Sequence, residues 1–362
     1  MPGSEAFRSA LPSEGRLVLA THRHPDPDGL GALVGLQVLL KQSLGLESDL
    51  VLEGRIRRAE NAAMRRLLQI SALPKGGVDP RKYAGIILVD TQPDFTHTHP
   101  PGALPILAVI DHHQGPRPPE ESECGEDRRI PFIWVDSDYG ATSTMIYDLL
   151  RAFEVELDQR TATAVFCGVR YDTQNLASEH TRLDEIAFLD LQGKADPKVL
   201  AQIDEPPLTR EYFQQMARAM EGCEYFGSVL ITLLGEVSSP EAVAEIADWF
   251  LRLEGQQWSL AGGSCDGRYQ VSLRTDEPGA DALPALRALI GPEGSCGGHG
   301  RMAGGQISLA ERNLEEVRRL IRQRALEYFH LAGKQSEGLT GSRRNPGRKA
   351  VGIDSSNTRV SD

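Results

Sequence analysis

The sequence lacks long hydrophobic runs and lacks an excess of basic residues. A membrane-spanning helix needs ~20 consecutive apolar residues, and no apolar run in this chain of 362 residues approaches that length. The formal net charge of −12 argues against a protein that coats duplex DNA or an anionic membrane. Residues 1–7 contain neither a basic nor an apolar segment, so we expect no signal peptide and a cytoplasmic protein that makes no membrane contact.

Cysteine is also scarce. The chain has 5 cysteines, an odd number, and none of them forms a Cys-x-x-Cys pair. This usage excludes a disulfide framework and indicates reduced, mostly structural thiols.

The order of apolar and amphipathic segments predicts two α/β domains. Apolar runs alternate with helical patterns from Arg16 onward, as in a mostly parallel, doubly wound sheet, and a smaller α/β domain follows. The predicted strands of the first domain are residues 17–21, 49–53, 86–90, 106–111 and 132–136, and its predicted helices are residues 30–42, 59–69, 142–153 and 159–168. The predicted division is a flexible leader (1–14), a first domain (15–195), a helical linker (196–224), a second domain (225–332) and a disordered tail (333–362).

Carboxylates and imidazoles follow the predicted strands of the first domain. The first group is His22-x3-Asp26-x-Asp28, and Asp90 ends a later strand. The remaining members are Asp111, His112 and His113 at the next strand end, and Asp172 just past a predicted helix. Because the carboxyl ends of parallel strands meet at one edge of a sheet, these side chains should converge there.

Such a concentration of carboxylates indicates bound cations. Unneutralised carboxylates at one edge would repel each other and raise each other's pKa. The set offers too many ligands for one ion, whereas two ions ~3.5–4 Å apart would use them all. Carboxylate and imidazole ligands without thiolate suit Mn²⁺ best, and Mg²⁺, Co²⁺ or Zn²⁺ less well.

The sequence also allows other interpretations of some of these residues and of a nearby arginine cluster. Asp26 and Asp28 are also residue types that cap a helix N-terminus. Asp136 and Asp138 follow another strand and compete with Asp172 for the last ligand position. A further arginine cluster, at positions 55, 57 and 58, is interpreted equally well as a phosphate-steering group or as a solvated helix start.

The motifs together resemble those of the DHH phosphoesterase family. His22-x3-Asp26-x-Asp28 is similar to the first family motif, Asp90 to the second, Asp111-His112-His113 to the third and Asp172 to the fourth. The later Gly-rich segment 296–304 is similar to the motif of the DHH-associated domain, and the strand containing Arg274 resembles the one that supplies its arginine. Within the family the resemblance is closest to oligoribonucleases (nanoRNases) and 3′-phosphoadenosine-5′-phosphate phosphatases.

The resemblance implies a role for each motif residue. His22, Asp26 and Asp90 would hold one ion, and Asp28, Asp90, His112 and Asp172 the other, with a hydroxide between the ions as the nucleophile. His113 would contact the phosphate or protonate the leaving oxygen, and Asp111 would orient the imidazoles. The substrate would be bound by Arg274, Gly297, Gly298 and His299, with the active site in the cleft between the domains.

The implied activity is a manganese-dependent phosphodiesterase or phosphatase. It would act on short RNA or small nucleotides, such as linear dinucleotides, and release mononucleotides or phosphate. Alternatives are an exopolyphosphatase or pyrophosphatase, a cyclic-dinucleotide phosphodiesterase and, in a different class, an inactive nucleotide-binding sensor. The sequence is compatible with a homodimer.

Overall fold

A computed structural model describes residues 3–56, 58–95, 98–101, 104–115, 130–178 and 180–339, except for the side chain of His299. The chain divides into two compact units, 1–207 and 208–362. Arg57 and residues 340–362 of the predicted tail lie outside the described residues. None of the described helices is both long enough and apolar enough to cross a bilayer.

The first unit contains a parallel sheet, as the sequence predicts, with six strands where five are predicted. Its strand order is β3-β2-β1-β4-β5-β6. The strands are β1 (Arg16–Ala20), β2 (Glu47–Leu52), β3 (Leu73–Pro74), β4 (Gly85–Val89), β5 (Ile106–Asp111) and β6 (Phe132–Val135). The helices are α1 (Ser4–Ser9), α2 (Pro27–Leu44), α3 (Ala59–Leu67), α4 (Thr142–Ala152), α5 (Gln159–Asp172), α6 (Arg182–Lys194) and α7 (Pro197–Asp204).

Successive side chains along a strand point to opposite faces of this sheet, and each face carries a hydrophobic core. Leu17 and Leu19 belong to a large core with α2, α4 and α5, whereas Val18 and Ala20 belong to a smaller core on the other face. In the parallel register Ala20 lies beside both Val51 and Leu88. The carboxyl ends of β1, β2 and β4 therefore lie side by side, which brings the segments after them together.

The beginning of the chain differs from the predicted flexible leader. Residues 4–9 form α1, and its Phe7 is fully buried. The Phe7 ring makes edge contacts with Phe132 and Phe153, at centroid distances of 5.1 and 6.3 Å. A single aromatic residue in a short polar segment has no periodicity, so the sequence pattern did not indicate this anchor.

The second unit contains a mixed sheet. Its strand order is β11-β12-β10-β9-β8-β7, antiparallel except for the β8–β9 pair. The strands are β7 (Glu224–Phe226), β8 (Val229–Glu236), β9 (Trp258–Cys265), β10 (Arg268–Thr275), β11 (Gly294–His299) and β12 (Met302–Ser308). The helices are α8 (Arg210–Gly222), α9 (Pro240–Leu251), α10 (Ala282–Ile290) and α11 (Leu314–Tyr328).

Two predicted boundaries of the second unit need correction. The helix of the predicted linker, α8, buries Met216 and Ala219 in a core with Leu230 of β8, so it is part of the second unit. The described start of the predicted disordered tail is also ordered, because the backbone of Glu337 pairs with Tyr225 of β7.

Candidate metal centre

The loop from β1 into α2 places the first three predicted ligands. Asp26 is the N-cap of α2, and its Oδ1 accepts hydrogen bonds from the amides of Asp28 and Gly29 at 3.0 and 3.1 Å. The helix-cap interpretation is therefore correct for Asp26, but it does not exclude a ligand role. The same oxygen lies 3.8 Å from Nε2 of His22.

Asp90 lies between the two predicted metal positions. Its Oδ2 lies 3.4 Å from Nε2 of His22, and its Oδ1 lies 3.9 Å from Nε2 of His112. Each oxygen of this buried carboxylate thus faces a different imidazole. This arrangement would suit a carboxylate shared by two cations.

The structure brings together all the predicted metal ligands. Together with His113 they form three groups of ligand atoms, within each of which the atoms lie within 4.8 Å of one another: His22, Asp26 and Asp90; Asp90, His112 and His113; and Asp28, His112 and Asp172. Asp172 Oδ2 lies 3.1 Å from Nε2 of His112. The competing residues Asp136 and Asp138 instead form the turn before α4, where Asp136 Oδ1 accepts a hydrogen bond from the amide of Asp138.

The start of α4 supports the predicted ligands through hydrogen bonds. The carboxylate of Asp28 accepts hydrogen bonds from the amides of Thr142 and Ser143 at 2.7 and 2.8 Å. Thr142 Oγ1 also donates to Asp90 Oδ1 at 3.2 Å. Thr142 and Ser143 hold two of the predicted ligands in place, and sequence reasoning missed them. The available signal was a helix start that follows β6 after a short turn, at the same sheet edge.

The imidazole orientations fit metal coordination. Nδ1 of His112 lies 3.2 Å from the carbonyl oxygen of Tyr139, and Nδ1 of His22 lies 3.0 Å from that of Arg23. Because a carbonyl accepts only an N–H, each Nε2 carries a lone pair when the ring is neutral. Nε2 of His112 is buried without a hydrogen-bond partner among the described residues and faces carboxylates. A lone pair directed at anions is unfavourable unless the nitrogen is protonated or a cation lies between them, and a bound cation would satisfy all of these groups at once, so these residues fit a metal site.

His113 differs from the other imidazoles. Its Nδ1 lies 2.9 Å from Oδ1 of Asp111, and Gln92 Nε2 donates to Asp111 Oδ2 at 2.7 Å. His113 Nδ1 is also near Asp90, at 3.6 Å, but the shorter contact with Asp111 engages its N–H. The side chain of His113 is 48% exposed. Gln92, which holds Asp111 and which sequence reasoning also missed, completes a chain of contacts that orients His113.

Burial raises the pKa of two carboxylates in the candidate site. Burial raises the pKa of Asp90 to about 8, and the negative charge of Asp28 adds to this rise. Burial and the charges of Asp28 and Asp26 likewise raise the pKa of Asp172 well above its usual value of 3.8. Without a cation the site therefore retains protons, which a divalent ion would replace.

The imidazole pKa values are raised as well. Burial opposes the charged form of His22, but hydrogen bonds to Asp26 and Asp90 outweigh it and raise the pKa well above 6.5. Burial also opposes the charge on His113, whereas the hydrogen bond to Asp111 raises its pKa. The surrounding carboxylates therefore favour the positively charged form of both imidazoles.

The predicted substrate residues of the second unit lie at two places in its sheet. Gly297 and Gly298 are in β11, an edge strand. Gly298 has φ +138°, and a Cβ there would lie 2.3 Å from the carbonyl oxygen of Met302, so glycine is required for the hairpin with β12. Arg274 is largely buried in β10 rather than open to solvent, and its Nε donates to Asp248 and its Nη1 to Ser272.

Family models identify both units. Residues 16–169 match the DHH family N-terminal domain, and residues 226–327 match the DHHA1 domain. The chain belongs to the DHH phosphoesterase family. Members of this family are hydrolases that use divalent metals, which agrees with the geometry of the centre in this DHH protein.

Relatives of this DHH protein include phosphodiesterases. It is 28% identical to an uncharacterized protein of Methanocaldococcus jannaschii over 85% of this chain and 62% of that protein. It is 23% identical to the cyclic-di-AMP phosphodiesterase GdpP of Geobacillus thermodenitrificans, over 90% of this chain and 49% of the relative. For the cyclic-di-AMP phosphodiesterase PdeA of Listeria monocytogenes, the identity is 22% over 76% of this chain and 41% of the relative. The chain thus spans about half the length of these relatives.

A solved structure shares the fold. An exopolyphosphatase-related protein from Bacteroides fragilis superposes with a TM-score of 0.65 at 15% identity. The match covers 87% of this chain and 93% of the other. The α/β fold predicted from the sequence is thereby confirmed. The particular resemblance to nanoRNases and 3′-phosphoadenosine-5′-phosphate phosphatases finds no counterpart among these relatives, so the substrate branch stays a prediction.

Proposed function

We propose that this DHH protein hydrolyses short oligoribonucleotides or small nucleotides with the help of two divalent ions, Mn²⁺ being best suited to the ligands. The observation that supports two ions is the position of Asp90, whose Oδ2 and Oδ1 face the Nε2 atoms of His22 and His112 respectively. His22, Asp26 and Asp90 would hold one ion, and Asp28, Asp90, His112 and Asp172 the other. The pair would activate water as a nucleophile and withdraw charge from the phosphoryl oxygens.

His113 is the proposed proton donor. Because Asp111 engages Nδ1, the ring orientation is fixed and Nε2 is the nitrogen left for the substrate. The raised pKa of His113 keeps more of the ring protonated near neutral pH. A protonated Nε2 would donate a hydrogen bond to the phosphate or a proton to the leaving oxygen.

The second unit would bind the nucleotide. The edge position of β11 offers backbone amides near Gly297 and Gly298 for a phosphate, with His299 beside them in the sequence. The described bonds of Arg274 use Nε and Nη1, so we assign Nη2 to the substrate. Asp248 and Ser272 would then act as positioning residues that limit the motion of the guanidinium.

A cyclic dinucleotide is the second candidate substrate. Two of the relatives described above are named cyclic-di-AMP phosphodiesterases. Their metal-dependent chemistry would also be available to this centre, because opening a phosphodiester ring and cleaving a linear phosphodiester are both hydrolysis at phosphorus.

Substrate profiling tests this proposal. The purified protein, loaded with Mn²⁺, is assayed with short oligoribonucleotides, 3′-phosphoadenosine-5′-phosphate, linear dinucleotides, cyclic dinucleotides and pyrophosphate. We expect the highest kcat/KM for a linear oligoribonucleotide or small nucleotide. Preference for the cyclic dinucleotide would select the second candidate, and no turnover of any compound would favour a nucleotide-binding sensor.

A further inference from the structure

An open groove lies between the end of β2 and helix α3. Its volume is about 770 Å³. The lining includes Arg55 after β2, Arg65 and Arg66 near the end of α3, and Gln69 and Ser71 after the helix. We call it the arginine groove. Every one of these side chains can donate hydrogen bonds, and none of the described residues that line the groove is acidic.

The arginines of this groove lack ion-pair partners in the described part of the chain. No carboxylate there lies within 4.0 Å of the guanidinium nitrogens of Arg55, Arg65 or Arg66, although the whole protein has a net charge of −12. The C-terminal dipole of α3 favours Arg65 and Arg66, which are in its last turn. It does not account for Arg55, which precedes the helix. Several guanidinium groups that line one groove give it a positive potential that attracts anions.

The segment that carries Arg55 contacts residues of two of the motifs that form the metal centre. Nδ1 of His24, two residues after the predicted ligand His22, lies 3.0 Å from the carbonyl oxygen and 3.2 Å from the amide nitrogen of Arg55. On the other side, Arg58 Nη1 donates to the hydroxyl of Tyr171, the residue before Asp172, at 3.2 Å. The segment between β2 and α3 therefore contacts both the first and the last of the motifs that form the centre.

We propose that the arginine groove binds a second phosphate group of the substrate, next in the chain to the phosphate that is hydrolysed. This inference rests on the proposed phosphoesterase function and narrows it to substrates that carry several linked phosphates. Both an oligoribonucleotide and a linear polyphosphate present such groups, and guanidinium recognises the phosphate oxygens of either one. Among the residues that the structure describes, no aromatic side chain lines the groove, so we assign it to recognition of phosphate rather than of a base.

The test compares substrates with one phosphate and with several. KM is measured with excess Mn²⁺ for bis(p-nitrophenyl) phosphate, for a 5′-phosphorylated tetraribonucleotide and for tetrapolyphosphate. The variant is R55A/R66A. The matched control is R252A/R319A, which removes the same charge from exposed arginines of α9's C-cap and α11. Metal content is measured in each protein.

We expect R55A/R66A to raise KM for the longer substrates about tenfold and to leave KM for the single-phosphate compound unchanged. A rise with the tetraribonucleotide alone or with tetrapolyphosphate alone supports the subsite and identifies which chain it takes. Unchanged KM for both longer substrates, or an equal rise in the control variant, overturns the inference. An equal rise with all three substrates also overturns it. If the wild-type protein hydrolyses none of them, the proposed function itself fails, which is a separate result.

Discussion

The amide of Thr142 donates a hydrogen bond to Oδ2 of Asp28 at 2.7 Å, although 114 residues separate the two positions. Together with the amide of Ser143, it fixes the Asp28 carboxylate, one of the predicted metal ligands, at the start of α4. This contact joins the first motif to a helix that carries none of the ligands. The metal centre is thus supported by backbone groups as well as by acidic and imidazole side chains.

Replacing Asp90 with alanine removes the carboxylate between the two predicted ion positions. We expect D90A to lower kcat about a thousandfold or more and to bind less metal. Steady-state kinetics and metal analysis of the purified protein measure both effects. Wild-type turnover in D90A would contradict the two-metal interpretation.

Gln92 should affect turnover without holding metal. Its Nε2 donates to Asp111 Oδ2 and to the carbonyl of His113 at 2.8 Å, so Q92A would free Asp111 to move and misorient His113. We expect kcat to fall about 10–100-fold while metal content stays constant. Loss of bound metal in Q92A would instead show that Gln92 helps to hold the metal ligands in position.

A methyl group at Gly168 should disturb Asp28. A Cβ there would lie 2.0 Å from Ser143 Oγ and 3.0 Å from Asp28 Oδ1. We expect G168A to lower the free energy of unfolding by about 1–3 kcal/mol and to reduce metal affinity. The control is G193A in α6, where a Cβ meets nothing within 4 Å and alanine should stabilise by about 0.5–1 kcal/mol. Equal effects of both changes in a denaturation experiment would exclude the close contact as the cause.

Arg274 should influence substrate binding but not metal binding. We expect R274A to raise KM for nucleotide substrates about tenfold and to leave metal content unchanged, and the same outcome for H299A. Because Arg274 is bonded to Asp248 and Ser272, a purely structural role would lower the stability of the second unit with KM unchanged. Thermal unfolding and kinetics on the same protein separate the two roles.

Stability without metal should decrease as pH rises. The folded pKa of Asp90, about 8, exceeds the ordinary 3.8, so the folded state holds this proton more tightly than the unfolded state does. The stability from that proton is complete below pH 3.8 and is lost as pH rises through about 8, and the raised pKa of His22 acts with the same sign. We expect the Tm of metal-free protein to fall between about pH 5 and about pH 8.

Excess Mn²⁺ should remove most of this dependence, because bound cations replace the protons. Circular dichroism melting curves with chelator and with Mn²⁺ measure the difference. A metal-free Tm that rises over the same range would show that the carboxylates are not held together as described.

Sequence patterns predicted five of the six strands of the first sheet because buried parallel strands are continuous apolar runs, and they missed β3, which has two exposed residues. They predicted the end of α5 poorly. Gly168 was interpreted as the end of that helix, but α5 continues to Asp172. Glycine at 168 is explained by tertiary contact with Ser143 and Asp28, which no local pattern shows. Asp172 therefore occupies the last helical turn rather than a loop after it.

Among the candidate site residues, too, local sequence patterns revealed some and tertiary contacts alone explain others. Residues that carry acidic or imidazole groups were visible because their chemistry is unusual at strand ends. Thr142 and Ser143 act on Asp28 through backbone amides, which every residue except proline possesses, so their identity carried little signal. Gln92 acts through another side chain, and that contact exists only in the folded protein.

Asp90 has a left-handed backbone, with φ +57° at the end of β4. A residue with a Cβ is disfavoured there by roughly 1 kcal/mol, whereas glycine is not. The same residue holds a carboxylate in a buried, anionic environment. Substitution by glycine relieves both penalties in the metal-free protein. Selection of variants for thermal stability alone, in the absence of metal, would therefore enrich proteins that have lost the residue on which we expect turnover to depend.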